Sequence, residues 1–128
     1  MDSCIFKLWL PELTFYASVI ENHRVDVYVY ADSSQLIAGF QFNTSVVPVT
    51  ASGGAVGDAD FSVSHSTEVI LGFSFVGASF DVDGGVTLLE MAFDADTDIQ
   101  EICLSSPVFS APSAEALSVE IPSWLACP

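Results

Sequence analysis

Gly39-Phe40-Gln41-Phe42-Asn43, running on to Ala51-Ser52-Gly53-Gly54, decides how this chain is read. Successive side chains of a strand point to opposite faces, so Phe40 and Phe42 share one face and Gln41 and Asn43 the other. One face suits a core and the other suits water. The glycine pair that follows supplies the positive φ of a tight turn. The same two-residue period recurs along nearly the whole chain. Leu13 to Ile20, Val25 to Ala31, Leu36 to Asn43 and Val46 to Ala51 alternate or run apolar, rich in β-branched and aromatic residues. Phe61 to Ser64, Val69 to Phe75, Val86 to Phe93, Glu101 to Leu104 and Leu117 to Ile121 do the same. Turn signals separate them at Glu21-Asn22, Asp32-Ser33-Ser34, Gly53-Gly54, Asp83-Gly84-Gly85 and Pro112-Ser113. The pattern predicts an all-β chain, an antiparallel β-sandwich of about nine strands with jelly-roll topology. Ser113 to Leu117 is expected to form one short helical turn.

No repeat or low-complexity linker divides the 128 residues, which are enough for one domain with a core. Residues 12–128 are expected to form the sandwich, and residues 1–11 an apolar N-terminal segment that makes an assembly contact. Trp9 and Leu10 near one end and Trp124 and Leu125 near the other are heavier than usual for chain ends, which are commonly polar. Both tryptophans are expected to be buried, on the sandwich or on another chain, because each removes about 150–250 Å² from water.

Only 15% of the residues are charged while 51% are hydrophobic. A free small domain normally carries more charge, so part of the surface is expected to be covered by neighbouring subunits. Lys7 and Arg24 are the only strong bases against seventeen acids, for a net charge of −15. Nucleic-acid binding requires Lys and Arg to displace phosphate counterions, and attraction to anionic membranes fails for the same reason. There is no stretch of eighteen apolar residues, and so no expected membrane span. The run Ile5 to Leu10 is short, interrupted by Lys7 and followed by no small-residue cleavage site, so no signal peptide is recognised.

The segment Val25-Asp26-Val27-Tyr28-Val29, followed by Ile37-Ala38-Gly39-Phe40-Gln41-Phe42, resembles the opening strand pair of cohesin-type domains. The likeness continues through Thr50-Ala51-Ser52-Gly53-Gly54 and Asp58-Ala59-Asp60-Phe61-Ser62-Val63. Val69 to Ala78 is similar to the middle strand pair, Gly85 to Leu89 to the strand after it, and Glu101 to Ser105 to a late segment. The match spans residues 12 to 127. The resemblance implies a jelly-roll sandwich related to carbohydrate-binding modules, which serves in protein–protein or carbohydrate recognition and does no chemistry. No dockerin segment is read in this chain.

Cys103 and Cys127 either form a bridge or remain two buried thiols. A bridge would close about 25 residues and contribute roughly 3–4 kcal/mol. The resemblance favours the bridge, because the corresponding cysteines of the similar modules look paired; Cys4 is then left over. Asp94, Asp96 and Asp98, with Glu101, have the alternate spacing by which oxygen ligands converge on Ca²⁺. The EF-hand pattern fails, since the sixth position from Asp94 is Ile99 and the twelfth is Ser105. The remaining choice lies between a looser Ca²⁺ site and a solvated acidic loop, with Asp81 and Asp83 a second such pair. No other cofactor is expected. His23 and His65 have no partner spaced for zinc or a triad, and there is no nucleophile elbow, so no enzyme activity is expected. Tyr28 and Tyr30 share a strand face and could stack on sugar rings or anchor a protein contact. Asn43-Thr44-Ser45 is a glycosylation sequon with Asn43 expected to face outward.

The expected function is therefore a non-catalytic, cohesin-like subunit of a larger assembly: a virion shell, a surface layer or an extracellular filament. Other protein subunits are its expected partners, and an extracellular or virion location fits this reading. The alternative is a carbohydrate-binding module.

Overall fold

The computed structural model describes residues 12–21, 23–66, 68–96 and 102–127. The first part of the chain forms β1 (Leu13–Glu21), β2 (Arg24–Tyr30), β3 (Leu36–Ile37), β4 (Gly39–Thr44) and β5 (Thr50–Ser52). A single-turn helix α1 (Gly54–Asp58) precedes β6 (Ser62–Ser66), β7 (Val69–Phe73), β8 (Phe80–Asp81) and β9 (Val86–Ala92). The chain ends with β10 (Leu104–Ser110), β11 (Ala116–Leu117) and β12 (Val119–Glu120). One sheet has the order β12-β1-β2-β9-β5 and the other β11-β10-β4-β7-β6, with a small β3-β8 ribbon beside them. The β1–β12 pair is parallel and the other strand pairs are antiparallel. Early strands lie beside late ones (β1 by β12, β2 by β9, β4 by β10), which is the jelly-roll arrangement the turn spacing predicts.

The alternation dictates the core. On β2, Val25, Val27 and Val29 are buried while Asp26 and Tyr28 face out. On β4, Phe40 and Phe42 are buried with Thr44, whose hydroxyl donates to the Val46 carbonyl at 3.2 Å. Phe15 from the first sheet meets Phe42 and Phe109 of the second at centroid distances of 4.9 and 5.4 Å. Each is fully buried, which is worth roughly 1.5–3 kcal/mol per side chain. Between Val27 and Tyr28 the β2–β9 register shifts, so that Leu88 and Leu89 are both buried. α1 packs on β9 through Val56, and only glycine fits at its start. Gly54 has φ +60°, and a Cβ there would lie 2.6 Å from the Thr87 carbonyl oxygen.

Several boundaries differ from the sequence expectation, each for a local reason. The run Leu36–Asn43 breaks at Ala38 and divides between the ribbon and the second sheet. Val46–Ala51 yields a strand only from Thr50, because Pro48 lacks an N–H and leaves Val47 and Val49 exposed. Of the expected late strand Glu101–Leu104, Glu101 lies outside the described residues and Ile102 and Cys103 precede the strand. That strand starts at Leu104 and passes through a bulge between Ser105 and Val108, where Ser106 has φ 51° and Pro107 needs no ladder partner. Ser113–Leu117 is not helical: Ala114 takes φ 71° and the chain re-enters the sheet as β11. The helix is at Gly54–Asp58 instead.

Cys103 and Cys127 are joined by a disulfide, with Cα atoms 4.9 Å apart. Leu104 N–H donates to the Leu125 carbonyl and Cys127 N–H to the Leu104 carbonyl, so the tail lies along the start of β10. The expected packing of Trp124 on the sandwich is not seen. Trp124 and Leu125 are consecutive on one turn; Leu125 takes the inward place and Trp124 is 72% exposed. Trp9, Leu10 and Cys4 lie outside the described residues.

Two stability tests follow from this packing. A Cβ on Gly72 would lie 2.3 Å from the Phe40 ring. Gly72→Ala is therefore expected to cost about 1–3 kcal/mol by overpacking, read as a lower urea midpoint. Replacing both Cys103 and Cys127 with serine is expected to cost about 3 kcal/mol in the same assay. An unchanged midpoint in either variant contradicts the corresponding account.

Candidate functional site

The inward placement of Phe40, Phe42 and Phe109 determines what the second sheet presents to solvent. The register aligns Val108, Gln41, Leu71 and Ser64 in one row across its outer face. Ser110, Gly39, Phe73 and Ser62 form a second row, and Ser105, Asn43 and Val69 a third. None of these positions carries a charge, in a chain with seventeen acids. Leu71 is 38% and Val108 53% exposed. Gly39 leaves a shallow groove of about 240 Å³ between Gln41, Leu71, Phe73 and Val108. Beyond β7, Phe75 and Val76 are 83% and 85% exposed at a turn. The Ser74 hydroxyl fixes that turn by accepting from the Val76 and Ala78 amides at 3.2 and 3.0 Å. Phe73 meets Phe75 edge-on at 4.9 Å, joining the turn to the face.

The outer face of the first sheet has the opposite character. Arg24 lies 3.3 Å from Asp26 and 3.9 Å from Glu90, so charges on β2 and β9 are partly paired. Tyr16 and Tyr28 stack on each other at 5.1 Å and 23°. Burial, then the Asp26 carboxylate, pushes the Tyr28 phenol above its ordinary value, and a hydrogen bond to Asp32 does the same for Tyr30. Tyr30 lies over Gly85, where a Cβ would be 3.2 Å from its ring. Tyr28 and Tyr30 thus face outward, as the β2 alternation requires. The Tyr16–Tyr28 stack covers one face of each ring, so the two do not present a shared flat platform.

Of the acidic cluster, Asp94 and Asp96 are exposed on the turn after β9, and Asp98 and Glu101 lie outside the described residues. Among the described residues no three His, Cys, Asp or Glu side chains come together in a metal-holding group. Asp81 is already engaged. Its carboxylate accepts from the Ser34 hydroxyl at 2.7 Å and from the Gln35 and Asp83 amides at 3.0 Å each. Asn43 lies half-buried on β4, the central strand of its sheet, with the Thr44 of its sequon turned into the core.

The strand likeness that would have located the uncharged face is in β7. Val69, Leu71 and Phe73 alternate with Ile70 and Gly72, so both faces of the strand are apolar or neutral. The strand-borne contact candidates of the sequence, Tyr28 and Tyr30, lie on β2 instead, whose outer face also carries Asp26 and Arg24.

No protein-family model matches the chain. No curated protein matches it either. Among solved structures, it is similar to the sixth cohesin of scaffoldin B from Acetivibrio cellulolyticus, a structure in complex with a mutant dockerin. The TM-score is 0.47 with 12% identity, over 86% of this chain and 94% of that one.

The three hydrogen bonds to Asp81, the Ser34 hydroxyl first, hold its carboxyl below the ordinary aspartate value of 3.8. A depressed folded value means that this link is intact above the ordinary value and is lost as pH falls through the folded one. A carboxyl NMR titration is expected to place the Asp81 midpoint below 3.8, and Ser34→Ala to raise it. A wild-type midpoint at or above the ordinary value contradicts the Asp81–Ser34–Gln35 link.

Proposed function

We propose that this protein is a non-catalytic interaction module that binds a protein partner through the outer face of its second sheet. The single observation that carries this reading is the uncharged, apolar face on Gln41, Leu71, Phe73 and Val108 in a chain of net charge −15. Desolvating charge is costly, and the centres of protein interfaces are depleted in it. Four strands about 4.8 Å apart and about five residues long give a face of roughly 320 Å². A specific interface buries about 800 Å² on each partner. The sheet alone is too small, so the Phe75–Val76 turn joins the contact. On this reading the protein is a subunit of a larger assembly, such as a virion shell, a surface layer or an extracellular filament.

Carbohydrate recognition by the tyrosines of the first sheet is the second reading. Tyr30 supports it as the exposed member of the group, and the mutual stacking of Tyr16 with Tyr28 weighs against it. Leu71→Asp and Val108→Asp separate the two readings without touching the core. Each is expected to weaken binding to the native protein partner by about 100-fold or more while leaving the urea midpoint unchanged, and Tyr30→Ala to leave that binding intact. Unaltered partner binding in both Asp variants, together with glycan binding that Tyr30→Ala abolishes, contradicts the proposal.

A further inference from the structure

β4 carries a glycine that the fold does not ask for. Gly39 lies on the central strand of the second sheet, paired with Ser110 on one side and Phe73 on the other. Glycine inside a strand weakens it, through backbone entropy and the absent side chain. Gly54 and Gly72 have structural reasons for being glycine. A Cβ would lie 2.6 Å from a carbonyl oxygen at the first and 2.3 Å from the Phe40 ring at the second. Gly39 has neither reason. Its φ is not in the left-handed region, and an added Cβ would meet the Ser110 hydroxyl at 3.3 Å and the Gly72 carbonyl oxygen at 3.6 Å. The hydroxyl can turn aside by rotation about χ1.

A strand glycine of this kind marks a place where another molecule approaches closely. The missing side chain opens the groove of about 240 Å³ between Gln41, Leu71, Phe73 and Val108. A cavity of about 150 Å³ accommodates a benzene ring, so one large apolar side chain fits in the groove. The border of the face differs from its centre. Asp60 precedes β6, Glu68 lies in the turn between β6 and β7, and Glu115 precedes β11, all three exposed. Neither of the chain's two strong bases, Lys7 and Arg24, belongs to a strand of this sheet. A second copy would bring another net charge of −15 to the same border, and like charges oppose close approach. A cationic partner gains from it.

We infer, resting on the interaction reading above, that the partner is a basic protein that seats one large apolar side chain in the groove over Gly39. Lys or Arg beside that side chain faces Asp60, Glu68 and Glu115. The centre of the contact then excludes water, while the charged rim sets partner choice and the rate of encounter. Gly39 is the specificity-determining position, because the partner's side chain occupies the space that a side chain of its own would fill.

NMR titration of the full-length protein with three synthetic peptides tests this. Lys-Lys-Thr-Phe-Thr-Lys-Lys carries the inferred features, a second peptide has alanine for the phenylalanine, and a third has glutamate for each lysine. The first is expected to shift the Gly39, Gln41, Leu71 and Val108 amides and to bind at least about 10-fold more tightly than either of the others. Gly39→Leu is expected to remove its advantage over the alanine peptide. Gly39→Ala is expected to leave the urea midpoint no lower than in the wild-type protein. Equal binding of the phenylalanine and alanine peptides overturns the inference, as does a lowered midpoint in Gly39→Ala, which makes the glycine structural. An unreduced advantage in Gly39→Leu, with shifts still on this face, also overturns it and leaves the interaction reading standing. Shifts confined to the first sheet contradict both. Absence of any shift, or a dimer that Gly39→Leu prevents, overturns the inference as well, the dimer by assigning the groove to a second copy.

Discussion

Phe15 stands between Phe42 and Phe109, and this contact across the two sheets sets the facing of the strands that supply it. Strand side chains have a period of two, so a slip by one residue would turn a strand inside out. With Phe15 inward, Tyr16 and Ser18 go outward, and the pairing with β2 places Val27 and Val29 inside and Tyr28 outside. With Phe42 and Phe109 inward, Gln41 and Val108 must face solvent. The proposed contact surface is in this sense a by-product of the aromatic core. Phe40 strengthens the constraint by stacking on Phe109 at 5.7 Å, over a glycine that leaves room for its ring.

Much of this is visible in the residues themselves. Val25-Asp26-Val27-Tyr28-Val29 alternates cleanly, and β2 forms there with the expected faces. Gly39-Phe40-Gln41-Phe42-Asn43 does likewise for β4. Less visible are elements whose residues lack a period. Ser105-Ser106-Pro107-Val108 shows no apolar alternation, yet Leu104 and Phe109 at its two ends are buried and carry it through as a bulged strand. Phe80-Asp81 is too short to show alternation and pairs with Leu36-Ile37 only through the fold. Trp124 finds no place on the sandwich, because the adjacent Leu125 occupies the inward position; of the two burials expected for it, contact with another chain is the one that remains.

The two outer faces divide the chemistry of the surface. The first carries Arg24 beside Asp26 and Glu90, together with a tyrosine pair that stacks on itself. The second carries serine, asparagine, glutamine, glycine and apolar side chains. A strongly acidic chain stays dispersed by charge repulsion, and a neutral window in that field is where close approach costs least. The disulfide acts at the start of β10, tying the tail to that strand.

Hydroxyl-radical footprinting of the protein in its native assembly, compared with the isolated chain, addresses the central claim most directly. Leu71, Phe73, Phe75 and Val108 are expected to become protected in the assembly while Tyr28 and Tyr30 keep their reactivity. Protection of Tyr28 and Tyr30 with Leu71 and Val108 unchanged would contradict the account, by placing the contact on the first sheet.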